Sequence, residues 1–367
     1  MTYRTHLDYA SSAPIRDNVR KKMLDELASR NDFYDPRRLY DDAIKIRYEI
    51  EESRQYVANH FGCSPSEVIF TSSSTESLAS FAYGINFENS KKILTSKFES
   101  KIIYEIIKCD DDQIIDIENI ENEIDENTKA IFISYAHPDT GDIFDLKEII
   151  DNIKTKSEDC LIHLDARNAS GYVKIDFSEL NVDAMSIESS TWGGPIGISA
   201  LILKHGLHIE PLIKGATQER ARRSGNENTL AIAGFGELCK LSYEELENEI
   251  NIFRKYKEQI INIFRENCCE MISKNKNSLP NMVSGMIKGI AASAVVSEFN
   301  RHQINIHAGS ACGSEEFEIS PALINLGLNA IEAESVFRIS WGYATTPQDI
   351  ETFATALNEI TKSFNVN

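Results

Sequence analysis

The sequence predicts an α/β protein: a large unit with a mainly parallel sheet covered by helices, then a smaller C-terminal α/β unit. Three observations predict it. Short apolar runs alternate with helical segments through the first half of the chain, which is the pattern of parallel strands joined by crossover helices. At 367 residues, the chain is too long for one simple layer pair. No internal repeat or low-complexity linker interrupts it, so the two units are expected to share a continuous interface.

The elements follow in order. Residues 36–61 carry Leu39, Ala43, Ile46, Ile50 and Val57 at helical spacing. Buried strands are expected at 68–71, 92–95, 130–134, 160–164, 184–187 and 200–203, where short apolar runs occur. Helical segments at 76–83, 101–107 and 146–154 lie between them. A longer helical stretch runs from 228 to about 268, with a break expected near Asn248 and Asn251. Apolar runs at 282–287 and 336–340 belong to the second unit. A last helix over 347–364 is announced by Thr345-Thr346-Pro347, a helix-start signal. The large unit is placed at 13–250, and the small one at 1–12 plus 251–367.

Composition narrows the function. Hydrophobic residues make up 42% and charged residues 26%, as in ordinary globular proteins. A formal net charge of −19 argues against a nucleic-acid backbone or an anionic membrane as partner. No apolar run approaches transmembrane length, and the first residues lack the apolar core of a signal peptide, so the expected location is cytoplasmic. The seven cysteines (63, 109, 160, 239, 268, 269 and 312) form no C-x-x-C pair, so neither a metal site nor a disulfide framework is expected. Cys268 and Cys269 read as buried helix surface, His137 and His163 as core or loop histidines, and Asp110-Asp111-Asp112 as a solvated turn.

Six motifs carry more than pattern does. They are Leu7-Asp8-Tyr9-Ala10-Ser11-Ser12-Ala13-Pro14, Phe70-Thr71-Ser72-Ser73-Ser74-Thr75-Glu76-Ser77, His163-Leu164-Asp165-Ala166, Arg223-Ser224-Gly225, Gly309-Ser310-Ala311-Cys312, and Arg338-Ile339-Ser340-Trp341-Gly342. In this order and spacing they resemble the cysteine desulfurases, from residue 6 to about 355. The resemblance implies the fold type I, aminotransferase class V architecture, pyridoxal phosphate as cofactor, and a homodimer with a sulfur-accepting protein partner. It implies that Cys312 is the sulfur-accepting nucleophile and that Arg338 binds the substrate carboxylate. It further implies that Asp165 pairs with the ring nitrogen, that Asn168 stands at a glutamine position, and that Ser74 and Thr75 approach the phosphate. Backbone N–H groups around Ser74 and Thr75 suit an anion, because they open a helix. Bland readings compete: Ser74 and Thr75 as helix caps, Asp165 as a loop holder, and Arg338 as a structural partner of Glu188 or another carboxylate.

The same alignment of motifs implies departures. In Ser186-Ile187-Glu188-Ser189-Ser190-Thr191-Trp192-Gly193-Gly194-Pro195-Ile196-Gly197, the frame set by Gly194-Pro195 and Gly197 puts Thr191 where the family keeps its Schiff-base lysine. A threonine cannot form the imine and is a poor base near neutral pH. Glu188 replaces a serine or threonine directed at the phosphate, Ser190 the histidine before the lysine, and Ser100 the histidine that stacks on the ring. Pro138 replaces an asparagine at the ring oxygen, and Asn226 replaces the threonine after R-S-G. Three functions stay open. The chain is a degenerate desulfurase serving as scaffold or as sulfur relay through Cys312; or an active desulfurase with noncovalent cofactor; or a protein whose pocket, with Trp192 and Glu188 in its lining and Arg338 at one end, takes another amino-acid-like ligand.

Overall fold

The computed structural model describes residues 4–29, 34–85, 92–108, 110–273, 277–309 and 319–364. The chain opens with a short strand β1 (Thr5–His6), followed by helices α1 (Asp17–Ser29) and α2 (Asp41–His60). The large sheet is then laid down by β2 (Val68–Thr71), α3 (Ser74–Gly84), β3 (Lys92–Ser96), α4 (Lys101–Ile107), β4 (Ile114–Ile115), β5 (Thr128–Ser134), α5 (Leu146–Lys156), β6 (Leu161–Asp165), α6 (Phe177–Leu180), β7 (Ala184–Glu188) and β8 (Ser199–Leu203). Its strand order is β2-β8-β7-β6-β5-β3-β4. β2, β7 and β8 are buried throughout, and β3, β5 and β6 at all but one or two positions, which is why they appear in the sequence as apolar runs rather than alternating ones.

One direction differs from the simplest expectation. β8 is antiparallel to both β2 and β7, while the other pairings are parallel. Hydrophobic pattern does not encode strand direction.

The long helix α7 (Thr229–Glu266) connects to the second sheet. That part contains β9 (Glu270–Met271), β10 (Met282–Met286), α8 (Ala292–Arg301), β11 (Ile304–Asn305), β12 (His307–Ala308), α9 (Pro321–Asn325), α10 (Ala330–Glu334), β13 (Val336–Ser340) and α11 (Pro347–Ser363). The order β12-β13-β10-β9 makes an antiparallel sheet, and β1 returns to pair with β11. The N-terminal segment thereby reaches Arg338: Asp8 bridges to Ser340, two residues further along β13. The main core runs from α2 and α7 through the large sheet to Phe299, Phe337 and Phe353.

Three local expectations are corrected. The helix expected from residue 36 starts at Asp41, and Leu39 is 85% exposed rather than part of the core stripe. α7 continues through Asn248 and Asn251 without a break. The cost of two asparagines, roughly 0.5–0.7 kcal/mol each, is outweighed by buried Leu246 and Phe253 and by Glu249, which accepts from the two terminal guanidinium nitrogens of Arg16 at 2.6 and 2.8 Å. Cys268 and Cys269 follow the helix rather than lie on it: Cys268 is exposed with a φ of 55°, and only Cys269 is buried. The acidic run forms a single exposed 3-10 turn, in keeping with the solvated turn expected there.

Candidate functional site

Parallel strands place their C-terminal ends on one edge of a sheet, and clefts form there. β2, β3, β5, β6 and β7 share that direction here. The residues at or just after their ends line a cleft of about 420 Å³: Ser74 and Thr75, Ser100, Pro138 and Asp139, Arg167 and Asn168, then Glu188, Ser190 and Thr191. Arg338 on β13 and Ser11 close the opposite wall. The structure thus gathers nine of the sequence-derived residues (Ser74, Thr75, Ser100, Pro138, Asn168, Glu188, Ser190, Thr191 and Arg338) into one place. Cys312 lies outside the described residues.

The end nearest α3 is built around a carboxylate. Glu188 is buried. The Ser74 N–H donates to its Oε2 at 3.0 Å, and the Ser190 hydroxyl donates to Oε1 at 3.2 Å. The helix cap is Ser73, not Ser74 or Thr75: its Oγ accepts from the Glu76 N–H at 3.2 Å. Glu76 itself is held by Arg223 at 2.9 Å and by the Ser72 N–H at 2.8 Å; these bonds hold its carboxyl below the usual carboxylate range despite partial burial. Thr75 is exposed on the cleft.

Asp165 is set back from the lining, behind Arg167. Its Oδ1 accepts from the Arg167 N–H at 3.0 Å, and its Oδ2 faces the Arg167 guanidinium at 4.0 Å. Sequence reasoning missed Arg167. Its only signal was an arginine two places after the motif aspartate. Thr191 is buried, and its hydroxyl points to the Arg167 carbonyl at 3.5 Å. Lys101, also missed, is the one lysine among the described residues lining the cleft, and its side chain is largely exposed.

At the far wall, Arg338 is buried. It donates to the Pro138 carbonyl at 3.1 Å and to the Ser11 hydroxyl at 3.2 Å, and it lies 3.6 Å from Asp8. Its carboxylate neighbour is therefore Asp8, and the expected alternative of Glu188 is not realised. The Arg338 Nε and the Ser100 Oγ are buried without a hydrogen-bond partner among the described residues. Trp192 is not a lining residue, contrary to expectation. Its indole is buried in a stack on His60 (centroids 5.1 Å apart, planes at 22°) and donates to the Glu188 carbonyl. It thereby holds the Glu188–Thr191 turn from behind.

The surrounding acids and bases are shifted by burial. Glu99, next to Ser100, is fully enclosed and pushed up to about 8 by desolvation, even though the Ser134 N–H and hydroxyl both bond to it. His163 is pushed down to about 4 by burial and bonds to the Ser186 hydroxyl at 2.8 Å. His137, also lowered by burial, accepts the N–H groups of Asp139 and Thr140 on Nδ1. Both histidines are core groups, as expected.

A seven-stranded sheet with one antiparallel strand, a second antiparallel sheet, and a cleft between them at the strand ends define a fold type I, pyridoxal-phosphate-transferase-like protein. The chain belongs to the aminotransferase class-V family, whose profile matches residues 5–353. It is 28% identical over 363 residues to cysteine desulfurase IscS 1 of Archaeoglobus fulgidus, covering 94% of each chain. A solved NifS-like protein superposes with a TM-score of 0.89 at 25% identity, over 99% of this chain and all of that one. The NifS-like protein of Rickettsia africae gives 0.86 at 27% identity, over 98% of this chain. Cysteine desulfurases are thus its homologues, and pyridoxal phosphate is the cofactor that its family implies. No helix among the described residues is long and apolar enough to cross a membrane.

Proposed function

We propose that this desulfurase homologue does not perform the usual pyridoxal-phosphate-dependent desulfuration and serves, as a homodimer, as a scaffold or a sulfur-relay partner through Cys312. The observation that carries this reading is Thr191, on the cleft wall in the segment whose frame matches the lysine segment of the family. Its hydroxyl supplies neither an imine nitrogen nor an effective base.

The cofactor that the family implies also fits the other lining residues poorly. Glu188 places a carboxylate on the helix N–H that a phosphate ester would need. The Arg167 guanidinium faces Asp165, the carboxylate that would otherwise meet a ring N–H⁺. Lys101 is the one lysine among the described lining residues, and it lies after β3 rather than after β7.

A relay needs no cofactor. The Cys312 thiolate attacks the outer sulfur of a donor persulfide, the donor's S–S bond breaks, the donor leaves as a thiolate, and Cys312 carries the new S–S bond. Nothing is oxidised or reduced overall. The test incubates the purified protein with pyridoxal phosphate, removes the excess, and records the visible spectrum and sulfide release from cysteine. In parallel, Cys312 is assayed by mass spectrometry for one added sulfur after exposure to a persulfidated donor. A colourless protein that acquires sulfur at Cys312 agrees with the proposal. Sulfide release at the rate of an active desulfurase refutes it.

A second reading has its own observation. Arg338 Nε and Ser100 Oγ are buried polar atoms on one cleft with no hydrogen-bond partner among the described residues, which suits a small carboxylate-bearing amino-acid-like ligand. A thermal-shift screen of amino acids with no hit counts against it.

A further inference from the structure

We propose that Glu188 is a built-in anion: its carboxylate occupies the N-terminus of α3 in the manner of a phosphate group, and this one side chain keeps phosphorylated ligands out of the cleft. The proposal rests on the reading above that the cleft does not hold the family's cofactor, and it names the residue responsible.

Three observations carry it. First, the geometry is that of anion capture. Glu188 stands at the end of β7, 114 positions along the chain from Ser74, yet its Oε2 takes the Ser74 N–H at 3.0 Å. Its Oε1 takes the Ser190 hydroxyl at 3.2 Å, so both oxygens are used. Second, the helix end has few donors left for a visitor. The Glu76 N–H goes to Ser73 Oγ, and the Ser77 N–H goes to the Ser73 carbonyl. Third, Glu188 is held in place from behind, because the Trp192 indole donates to its carbonyl.

Volume is not the barrier. The cleft holds about 420 Å³ and contains three cationic side chains, Lys101, Arg167 and Arg338. A phosphate monoester would meet favourable charge along the walls. Of the two lining carboxylates, Asp139 accepts from the Ser320 hydroxyl at 2.6 Å, and Glu188 alone stands at the helix end, where donors and dipole would otherwise favour a phosphate. Like charges at hydrogen-bonding distance in a partly desolvated site repel strongly.

The experiment uses the full chain and two variants, Glu188→Ser and Glu188→Gln. The serine removes both charge and bulk; the glutamine removes the charge and keeps an acceptor for the Ser74 N–H. Binding of inorganic phosphate and of pyridoxal phosphate is followed by calorimetry and, for the latter, by absorbance after gel filtration. Circular dichroism and melting confirm that each variant is folded. The expected result is negligible binding by the unmodified chain and about tenfold or greater tightening for Glu188→Ser, the scale of one charge-assisted hydrogen bond gained. Glu188→Gln should gain less, and both ligands should respond together, since they share the phosphate group.

If the unmodified chain does not bind and a folded Glu188→Ser chain gains nothing, the built-in-anion proposal is overturned while the cofactor-free reading stands. If the unmodified chain retains pyridoxal phosphate through gel filtration, the cofactor-free reading falls, and this proposal with it. If pyridoxal phosphate gains affinity but inorganic phosphate does not, the improvement lies elsewhere in the cleft, and the proposal is likewise overturned.

Discussion

Asp165 and Arg167 are neighbours in the chain and partners in space: one aspartate oxygen takes the Arg167 N–H at 3.0 Å, and the other faces its guanidinium at 4.0 Å. The two contacts differ in strength. The ion pair is long, with the arginine side chain 22% exposed, so Arg167→Ala should cost less than about 1 kcal/mol. Asp165→Ala also removes a charge-assisted bond from a backbone N–H in the turn after β6 and should cost about 1.5–3 kcal/mol. Urea denaturation of the two variants measures the difference. Equal losses would mean that the guanidinium, not the turn, is the main partner.

Arg54 and Glu219 form the deepest ion pair near the site. Their bonds are 2.7 and 2.9 Å, and both side chains are at most 4% exposed. Glu219 also accepts the Phe70 N–H at 2.9 Å, at the root of the loop leading to α3. Removing one partner leaves a buried charge, so Arg54→Met should destabilise the chain by about 3–5 kcal/mol. The double variant Arg54→Met with Glu219→Gln should recover part of that loss, because no unpaired charge remains. A double variant less stable than the single one would show that the pair stabilises the fold outright.

Stability should fall on both sides of a mildly acidic to neutral maximum. Glu99 is raised from 4.5 to about 8 by burial, so its contribution is complete below about pH 4.5 and is lost as the pH rises toward 8. His60 and His163 are lowered from 6.5 to about 4, also by burial, so their contribution is complete above about pH 6.5 and is lost as the pH falls toward 4. Glu99→Gln retains an acceptor for Ser134 and removes the alkaline limb. The difference in unfolding free energy between about pH 6 and about pH 9 should shrink by roughly 1–3 kcal/mol. An unchanged pH slope in that variant would locate the titration elsewhere.

The legible and illegible features have separable physical causes. The longer strands were readable because burial makes each an apolar run, and β2 and β13 coincide with the expected ranges, whereas the two-residue strands β1, β4, β9, β11 and β12 are too short to write a pattern. The direction of β8 was not, since an antiparallel central strand is buried just as fully. α1 escaped notice because only Val19 of its residues is buried, too little to write a periodic stripe. At the site, strand-end motifs located the cleft-lining residues, because sheet topology puts those ends together. Contacts between distant segments were not readable: Glu188 meets Ser74 across 114 positions, and the choice of Asp8 over Glu188 by Arg338 depends on the segment after β1 bridging to β13 at Ser340. Trp192 was assigned to the cavity by its place beside Thr191, whereas His60 and the strand behind it claim the indole.

That indole sets the last expectation. Gly171 has a φ of +76°, and a Cβ there would lie 2.3 Å from the Trp192 ring. The ring has nowhere to move: it is 1% exposed, stacked on His60, and bonded to the Glu188 carbonyl. Gly171→Ala combines a left-handed backbone strain with a fixed-ring clash and should cost about 2–4 kcal/mol. Any relief must push Trp192 toward the Glu188–Thr191 turn, so the variant should also change tryptophan emission, which comes from two buried residues, Trp192 and Trp341. Trp192→Phe in the same background relieves the clash in part and should restore some stability. A Gly171→Ala protein with unaltered melting temperature and emission would show that the ring and the turn in front of it are not rigidly coupled.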